Sequence, residues 1–327
     1  MQKMLSGIKP TGELHLGNYI GALKNFVKYQ DDYEMFVFIA NLHTVTIPQD
    51  PKEIHQYLID AIALYIACGL DKDKATIFLQ SDVLEHANLG FLLSCHSYEG
   101  ELDRMTQYKD RTQKGETGLT VGFYTYPTLM AADILMYDAD FVPVGDDQKQ
   151  HVELTRDIAE RMNNRYGKLF QVPKPLIAKV GARIMDLQDP TRKMSKSDQS
   201  DKGCIFLLDS PKTARKKIMS AQTDSFNKIL FDEENQPGIS NLLTIYAALK
   251  DITIKDAEKL FKDYRYGDFK KAVADEVVSL LETLQSEYEK IINSNIIEET
   301  LIQGKEKAQQ IARVKLDKVI DTLGIKI

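Results

Sequence analysis

Residues 4–18 read Met-Leu-Ser-Gly-Ile-Lys-Pro-Thr-Gly-Glu-Leu-His-Leu-Gly-Asn, and this stretch decides how the chain begins to fold. A short apolar segment runs into a Pro-Thr-Gly turn, after which Gly17 opens a helix. Apolar residues then recur at helical spacing at Ile20, Leu23, Phe26 and Val27. A strand, a glycine-rich turn and a helix N-terminus together favour anion binding, because backbone N–H groups and the positive end of the helix dipole face the ligand. An ordinary strand-to-helix turn is the alternative interpretation.

The rest of the first half alternates strand and helix patterns. Predicted strands cover residues 35–42, 75–80 and 141–144, and predicted helices cover residues 51–67, 89–95, 100–111, 125–137 and 147–166. Such alternation is typical of a parallel sheet with right-handed crossovers and a ligand crevice at the carboxyl ends of its strands. After about residue 190 the pattern is helical only, over residues 212–220, 239–249, 254–264, 269–292 and 296–323. The predicted class is α/β, a Rossmann-like doubly wound parallel sheet with a second, smaller all-helical domain.

A second motif, Lys193-Met194-Ser195-Lys196-Ser197, places two ammonium groups and two hydroxyls within one short loop. Such a loop can hold pyrophosphate as it leaves, because cations stabilise charge that develops on phosphate oxygens. A lysine- and serine-rich pentapeptide is usually only a solvated surface loop. Its position about 175 residues after the first motif, with α/β patterns between, favours the functional interpretation.

The two motifs resemble the HIGH and KMSKS elements of the class I aminoacyl-tRNA synthetases, with Asn18 where the second histidine usually stands. Asparagine still offers an N–H donor at that position. Three further strings, at residues 126–135, 142–151 and 181–185, resemble the bacterial tryptophanyl-tRNA synthetases, and the resemblance covers nearly the whole chain. The related tyrosyl-tRNA synthetases share the fold and both ATP elements but not the Met-Ala-Ala-Asp-Ile string at 130–134.

This resemblance implies that an amino acid is activated with ATP and then transferred to the terminal adenosine of a tRNA. The carboxylate of the amino acid attacks the α-phosphate itself, so catalysis depends on positioning and charge stabilisation. By resemblance, the catalytic residues are His15, Asn18, Lys193 and Lys196. The ATP site would comprise Lys9, Pro10, Thr11, Gly17, Asn18, Gly145, Asp146, Asp147, Ile184, Lys193, Met194, Ser195, Lys196 and Ser197. Mg²⁺ is expected to arrive with ATP rather than at a metal site of the protein.

Two basic residues near the expected triphosphate differ from many relatives. Lys9 stands where many relatives have glutamine, and it would either strengthen ATP binding or point to solvent. Arg111 stands where some relatives have a lysine near the pyrophosphate.

The amino-acid pocket is expected around Asp133. An indole ring in an apolar pocket has one polar group, its N–H, which needs a buried acceptor. A surface salt bridge is the alternative role for a helical aspartate, but its apolar sequence neighbours argue against it. Tryptophan-binding residues are therefore predicted to be Asp133, Met130, Tyr126, Gln148, His43, Leu5, Val142 and Val144. Of these, Gln148, Tyr126 and His43 are expected around the ammonium and carboxylate groups of the substrate.

Domain organisation and partners also follow from the resemblance. Residues 1–190 with 290–327 are expected to form the catalytic domain, and residues 191–289 the KMSKS loop and a helical domain that binds the tRNA anticodon. L-tryptophan and tRNA(Trp) are the expected partners, and the chain is expected to form a homodimer. Tyrosine as substrate, or a nucleotidyltransferase or RNA-binding relative of the same fold, are the alternatives.

Composition excludes several other classes of protein. The formal net charge of −6 argues against a generally basic nucleic-acid binder, so no DNA partner is expected and RNA contacts must come from local patches. Basic residues cluster weakly at residues 104–111, 212–217 and 305–318. Three widely spaced cysteines suggest neither a disulfide framework nor a zinc site, and no apolar run is long enough to span a bilayer, so a cytoplasmic location is expected.

Overall fold

The structure is a computed structural model of the 327-residue chain that describes residues 1–10, 12–145, 148–177, 183–195 and 201–326. Within these ranges, five strands form one parallel sheet in the order β3-β2-β1-β4-β5. The strands are β1 Lys3–Ile8, β2 Glu34–Ile39, β3 Ala75–Leu79, β4 Phe141–Val144 and β5 Lys174–Ile177. The predicted fold class is confirmed.

Nine helices accompany the sheet in the described part of residues 1–177: α1 Leu16–Asn18, α2 Lys24–Tyr29, α3 Asn41–Thr44, α4 Pro51–Ala67, α5 Glu85–Ser94, α6 Glu99–Leu102, α7 Thr106–Gln113, α8 Val121–Met136 and α9 Lys149–Tyr166. A π-helical turn, Tyr19–Leu23, joins α1 to α2, and a 3₁₀ turn, Gln80–Asp82, precedes α5. Local chemistry explains several helix starts. Before α4, for example, the Asp50 carboxylate accepts a hydrogen bond from the Lys52 N–H at 2.8 Å.

Both faces of the sheet are buried, which is why β2 has a continuous apolar sequence. Met35, Val37 and Ile39 of β2 belong to the apolar core on one face, whereas Phe36 and Phe38 belong to the core on the other. Period-two alternation of side chains along a strand produces this division. The helices therefore cover the sheet on both sides, as a doubly wound fold requires.

The chain after residue 200 is helical, with α10 Pro211–Met219, α11 Pro237–Lys250, α12 Ile254–Phe261, α13 Tyr266–Ile292 and α14 Ile296–Leu323. Ala308 and Ala312 of α14 lie in the same apolar core as Phe36 and Phe78 of the sheet. The approach is close, because a Cβ atom built on Gly304 would lie 1.7 Å from the carbonyl oxygen of Ile77. The last helix thus packs on the edge strand β3, while the exact division into two domains stays a prediction.

Several predicted boundaries were wrong. The expected helix 100–111 is two helices, because buried Met105 has an extended conformation between α6 and α7. The predicted strand 35–42 ends at Ile39, and a short helix follows it. Helices predicted at 89–95 and 125–137 begin earlier, at Glu85 and Val121. Strand β5 was not predicted at all.

Candidate active site

The sheet opens into a crevice between β1 and β4. These neighbouring strands pair only through Met4 and Phe141, at their amino ends, so they separate towards their carboxyl ends. The strand order also reverses here, since the chain proceeds outward to β2 and β3 on one side and to β5 on the other. Ligands of open α/β sheets bind at such a switch point. A cavity of about 410 Å³ occupies this place.

All eight residues predicted to bind tryptophan line this cavity. Helix α8 contributes Tyr126, Met130 and Asp133, which share one face because they are four and three residues apart. The other five are Leu5 of β1, His43 of α3, Val142 and Val144 of β4, and Gln148 directly before α9. The sequence prediction therefore brought together residues that the fold collects from four separate elements and from the residue before α9.

Asp133 is completely buried at the wall of the cavity. Gln80 Nε2 donates to its Oδ1 at 2.7 Å, and His86 Nδ1 lies 2.6 Å from the same oxygen. His43 Nε2 lies 2.8 Å from Oδ2. The surface salt bridge considered as an alternative is therefore wrong, and His43 lies beside this carboxylate, whereas the sequence interpretation placed it near the ammonium and carboxylate groups of the substrate.

These contacts keep the carboxylate ionised. Burial alone raises the pKa of Asp133, but the hydrogen bonds from His43 and His86 lower it, and the pKa falls to about 2. An ionised carboxylate only accepts hydrogen bonds and has about four acceptor positions. Among the residues that the structure describes, three donors reach it, two at Oδ1 and one at Oδ2. One acceptor position at Oδ2 thus remains for a donor in the cavity.

Gln80, His86 and Tyr137 belong to this site and were missed from the sequence. Gln80 and His86 come from the 3₁₀ turn and α5, and long-range packing places them against α8. No local pattern marks either of them. Tyr137 could have been inferred from the sequence, because it lies four residues after Asp133 and so falls on the same side of the helix.

The opposite wall is also held by hydrogen bonds. The Tyr126 hydroxyl donates to Gln107 Oε1 at 2.9 Å and lies 2.6 Å from Nε2 of the buried His151. Burial raises the pKa of Tyr126 well above its usual value, although the nearby Arg111 acts in the opposite direction. Tyr126 therefore presents a neutral ring to the cavity.

The first motif forms the turn between β1 and α1. Asn18 lines the cavity, and its Oδ1 accepts a hydrogen bond from the His15 N–H at 3.0 Å. A Cβ atom at Gly17 would lie 3.0 Å from His15 Nδ1, so glycine allows the ring to pack over the helix start. Within the described residues, this buried Nδ1 has no hydrogen-bond partner. Burial and then the Lys193 ammonium lower the pKa of His15 to about 4, so the ring is neutral near pH 7.

Two cations, Lys9 and Arg111, lie close enough to influence each other near the cavity. Lys9 lines it, and partial burial followed by the Arg111 guanidinium lower the pKa of Lys9 below its usual value. Arg111 lies 4.5 Å from the ring centroid of Phe123 and pairs with Glu116 at 2.9 Å. Two positive charges this close destabilise each other, so an anionic ligand between them is favoured.

The described part of the second motif packs against a neighbouring segment. The Met194 N–H donates to the Ile184 carbonyl at 2.9 Å, and both side chains are buried, whereas Lys193 and Ser195 are exposed. A Cβ atom on Gly17 would lie 3.7 Å from the Ile184 Cβ, so the two motifs lie close together through Ile184. Gly145 lines the cavity, and Pro10, the residue after Lys9, is buried. Five residues of the predicted ATP site lie outside the described residues: Thr11, Asp146, Asp147, Lys196 and Ser197.

Other surfaces add two observations. In the expected basic patch at 212–217, Lys217 is buried and pairs with Asp209 at 2.9 Å, so its inclusion as an RNA contact was wrong. Arg215 of the same patch pairs with Asp275 at 2.7 Å. Among the described helices, none is long and apolar enough to cross a membrane.

Comparison with known proteins identifies the family of this chain. The family model described as "tRNA synthetases class I (W and Y)" matches residues 1–282, and the chain belongs to this family of aminoacyl-tRNA ligases. The relatives it resembles are tryptophan–tRNA ligases. It is 52% identical to that of Malacoplasma penetrans, over 99% of this chain and 98% of the relative. It is 49% identical to that of Bacillus subtilis, with the same coverage.

Solved structures of tryptophanyl-tRNA synthetases are similar to this chain over nearly its whole length. The tryptophanyl-tRNA synthetase of Mycoplasma pneumoniae has a TM-score of 0.91 and 41% identity, covering 99% of this chain and 98% of that one. The enzyme of Campylobacter jejuni, complexed with ADP and tryptophan, has a TM-score of 0.83 and 35% identity, covering 99% of this chain and all of that one.

Proposed function

We propose that this chain is a tryptophan–tRNA ligase that makes tryptophanyl-adenylate from L-tryptophan and ATP and then charges tRNA(Trp). One observation carries the choice of amino acid. The ionised, fully buried Asp133 lies in the wall of a largely apolar cavity, and its Oδ2 has one described donor, His43, which lines the same cavity. The indole N–H is a donor with no competing acceptor of its own, so it suits this position.

In the first step, the tryptophan carboxylate attacks the α-phosphorus of ATP. A new P–O bond forms as the bond to the bridging oxygen breaks, and pyrophosphate leaves with the negative charge that develops. We assign His15 and Asn18 to hydrogen bonds with the phosphates, and Lys193 and Lys196 to the charge on the leaving group. The low pKa of His15 supports this assignment, because a neutral imidazole is a donor that does not hold its product by charge.

Residues around the crevice would hold the nucleotide. We assign this role to the residues of the predicted ATP site. Lys9, Asn18 and Gly145 line the cavity, and Gly17 lies close to Ile184, which pairs with Met194. The nucleotide enters as MgATP, because Mg²⁺ keeps several waters and prefers phosphate oxygens. The ion would then be held mainly by the phosphate oxygens of the nucleotide.

In the second step, the 2′-hydroxyl of the terminal adenosine attacks the carbonyl carbon of the adenylate. The ester C–O bond forms, the mixed-anhydride bond breaks, and AMP leaves. The helical region α10 to α13 is the proposed site of anticodon binding, with a cytoplasmic location for the reaction.

A charging assay tests this function. Purified protein, bulk bacterial tRNA and MgATP are incubated with each radiolabelled amino acid, and acid-precipitable tRNA is counted. Tryptophan alone should be incorporated, and the Lys193→Ala variant should lose most of the rate while remaining folded. Incorporation of tyrosine would favour the tyrosyl alternative, and no incorporation of any amino acid would favour a relative without ligase activity.

The surface of α5 supports the proposed homodimer. Leu84 is 68% exposed and Phe91 is 69% exposed, and Cys95 is also exposed. Leu84 lies directly before α5 and Cys95 directly after it, and their spacings of seven and four residues from Phe91 place all three along one side of the helix. Exposed apolar stripes of this kind mark interaction surfaces. Light scattering should give the mass of two chains, and Phe91→Glu should give the mass of one. A wild-type monomer at micromolar concentration would contradict the proposal.

A further inference from the structure

A chain of buried hydrogen bonds continues behind Asp133, away from the cavity. His86 Nδ1 lies 2.6 Å from Asp133 Oδ1, and His86 Nε2 lies 2.8 Å from the Tyr137 hydroxyl. All three residues are fully buried. Of the three, only Asp133 is among the described residues that line the cavity. His86 and Tyr137 thus act on Asp133 without contacting a ligand bound there.

With a neutral imidazole at His86, the protons in this chain have one consistent arrangement. The Asp133 carboxylate is ionised and only accepts, so His86 Nδ1 must carry a hydrogen. In a neutral imidazole the other nitrogen is then an acceptor, and the Tyr137 hydroxyl donates to it. The opposite tautomer would place a lone pair of His86 against Asp133. Tyr137 is itself held by Phe36, whose ring centroid lies 4.9 Å from that of Tyr137 in a stacked arrangement.

Two donors hold Oδ1 and so help to fix the orientation of the carboxylate. Gln80 and His86 reach this oxygen from different elements, the 3₁₀ turn and α5. Gln80 is oriented in turn, because its Oε1 accepts from the Leu42 N–H at 3.1 Å. Without His86, rotation of the carboxylate about its Cβ–Cγ bond would be restrained only by Gln80 at Oδ1 and His43 at Oδ2, whereas with His86 three donors from separate elements fix it. Oδ2 is the oxygen next to His43, a residue of the cavity wall, and so lies on the cavity side of the carboxylate.

We propose that His86, oriented by Tyr137, is a positioning residue for amino-acid selection: it fixes Asp133 so that Oδ2 accepts the hydrogen bond of the substrate N–H. This inference rests on the proposed function, because it assumes that Asp133 accepts a hydrogen bond from the indole N–H. His86 performs no chemistry, and its contribution depends on the substrate having a hydrogen to donate. That dependence distinguishes positioning from a general contribution to stability.

The test compares tryptophan with its benzothiophene analogue, in which sulfur replaces the ring N–H. ATP–pyrophosphate exchange gives kcat/KM for both substrates in the full-length wild type and in His86→Leu, His86→Asn and Tyr137→Phe. Asparagine places an amide N–H near the position of Nδ1 and so keeps the donor, whereas leucine removes it. Tyr166→Phe is the matched control, because Tyr166 makes an equivalent contact, 3.0 Å from its hydroxyl to His96 Nε2, away from Asp133.

His86→Leu should lower kcat/KM for tryptophan by roughly tenfold or more, mainly through KM, because a hydrogen bond to a charged group loses its geometry. The analogue should change by less than about threefold, so the preference for tryptophan falls. His86→Asn should recover most of the preference, Tyr137→Phe should reduce it partly, and Tyr166→Phe should leave it unchanged. If circular dichroism shows that His86→Leu does not fold, His86→Asn and Tyr137→Phe provide the test. The quantity compared is still the ratio of kcat/KM for tryptophan to kcat/KM for the analogue.

Equal losses for both substrates would overturn the positioning role, as would an unchanged preference in every folded variant of His86 and Tyr137. A wild-type protein that uses the analogue as well as tryptophan would instead refute the role of Asp133 on which the inference rests. The two failures are therefore distinguishable.

Discussion

Asp133→Asn and Asp133→Ala should have different consequences, because Asp133 serves both the substrate and the protein interior. Asparagine keeps the shape and one carbonyl oxygen. That oxygen can take the place of Oδ1 and accept from Gln80 and His86, while the amide group takes the place of Oδ2. His43 can then change tautomer and accept from the amide, but an indole N–H cannot.

The expected magnitudes follow from these contacts. A hydrogen bond to a charged acceptor contributes about 1.5–3 kcal/mol, so Asp133→Asn should reduce kcat/KM for tryptophan roughly ten- to hundredfold with little loss of stability. Asp133→Ala leaves Gln80, His86 and His43 without their acceptor. Each buried donor that is left without an acceptor costs about 1–3 kcal/mol. The sum for the three donors approaches the whole free energy of unfolding of a typical domain.

Two assays separate these effects. Pyrophosphate exchange measures kcat/KM for tryptophan, and urea unfolding followed by circular dichroism measures stability. Asp133→Asn should unfold near the wild-type urea concentration with a raised KM, and Asp133→Ala should unfold much earlier. An Asp133→Asn variant that is folded and has an unchanged KM would refute the assignment of Asp133 as the indole acceptor.

Three further outcomes are expected. Gly304→Ala should lower the free energy of unfolding by about 1–3 kcal/mol in urea titrations, because its Cβ would collide with the Ile77 carbonyl, whereas Gly267→Ala, with open space around it, should not. Burial and a neighbouring lysine lower the pKa of His15 from 6.5 to about 4, so neutral His15 contributes stability that is complete above pH 6.5 and is lost as the pH falls towards 4. His15→Gln should remove this dependence, worth up to about 3 kcal/mol, in unfolding measured between pH 4 and 7. Lys9→Gln should raise KM for ATP about fivefold, with KM for tryptophan unchanged in exchange assays, because a partly exposed charge contributes about 1 kcal/mol.

The sequence predicted the sheet well where burial on both faces produces a continuous apolar run, as in β2. It failed for β5, because Lys174–Ile177 is short, contains Pro175 and lies at the sheet edge, where its apolar pattern is weak. The break between α6 and α7 was also missed. Met105 turns into the core there, and tertiary packing rather than local propensity imposes that conformation.

The candidate site shows the same division. Residues on one helix face, such as Tyr126, Met130 and Asp133, follow from helical spacing once one of them is identified. His86 and Gln80 do not, because they reach Asp133 across about 50 residues of chain and belong to no motif. The sequence thus predicted residues that line the cavity, whereas the groups that orient them required the folded structure.

The most direct test of the central claim is ATP–pyrophosphate exchange with purified protein and each of the twenty amino acids singly. Exchange with tryptophan alone is the predicted result, because only its side chain joins a large apolar ring to a single N–H donor. Exchange with tyrosine would keep the fold and the nucleotide site but contradict the indole pocket around Asp133, and exchange with none would contradict the assigned activity.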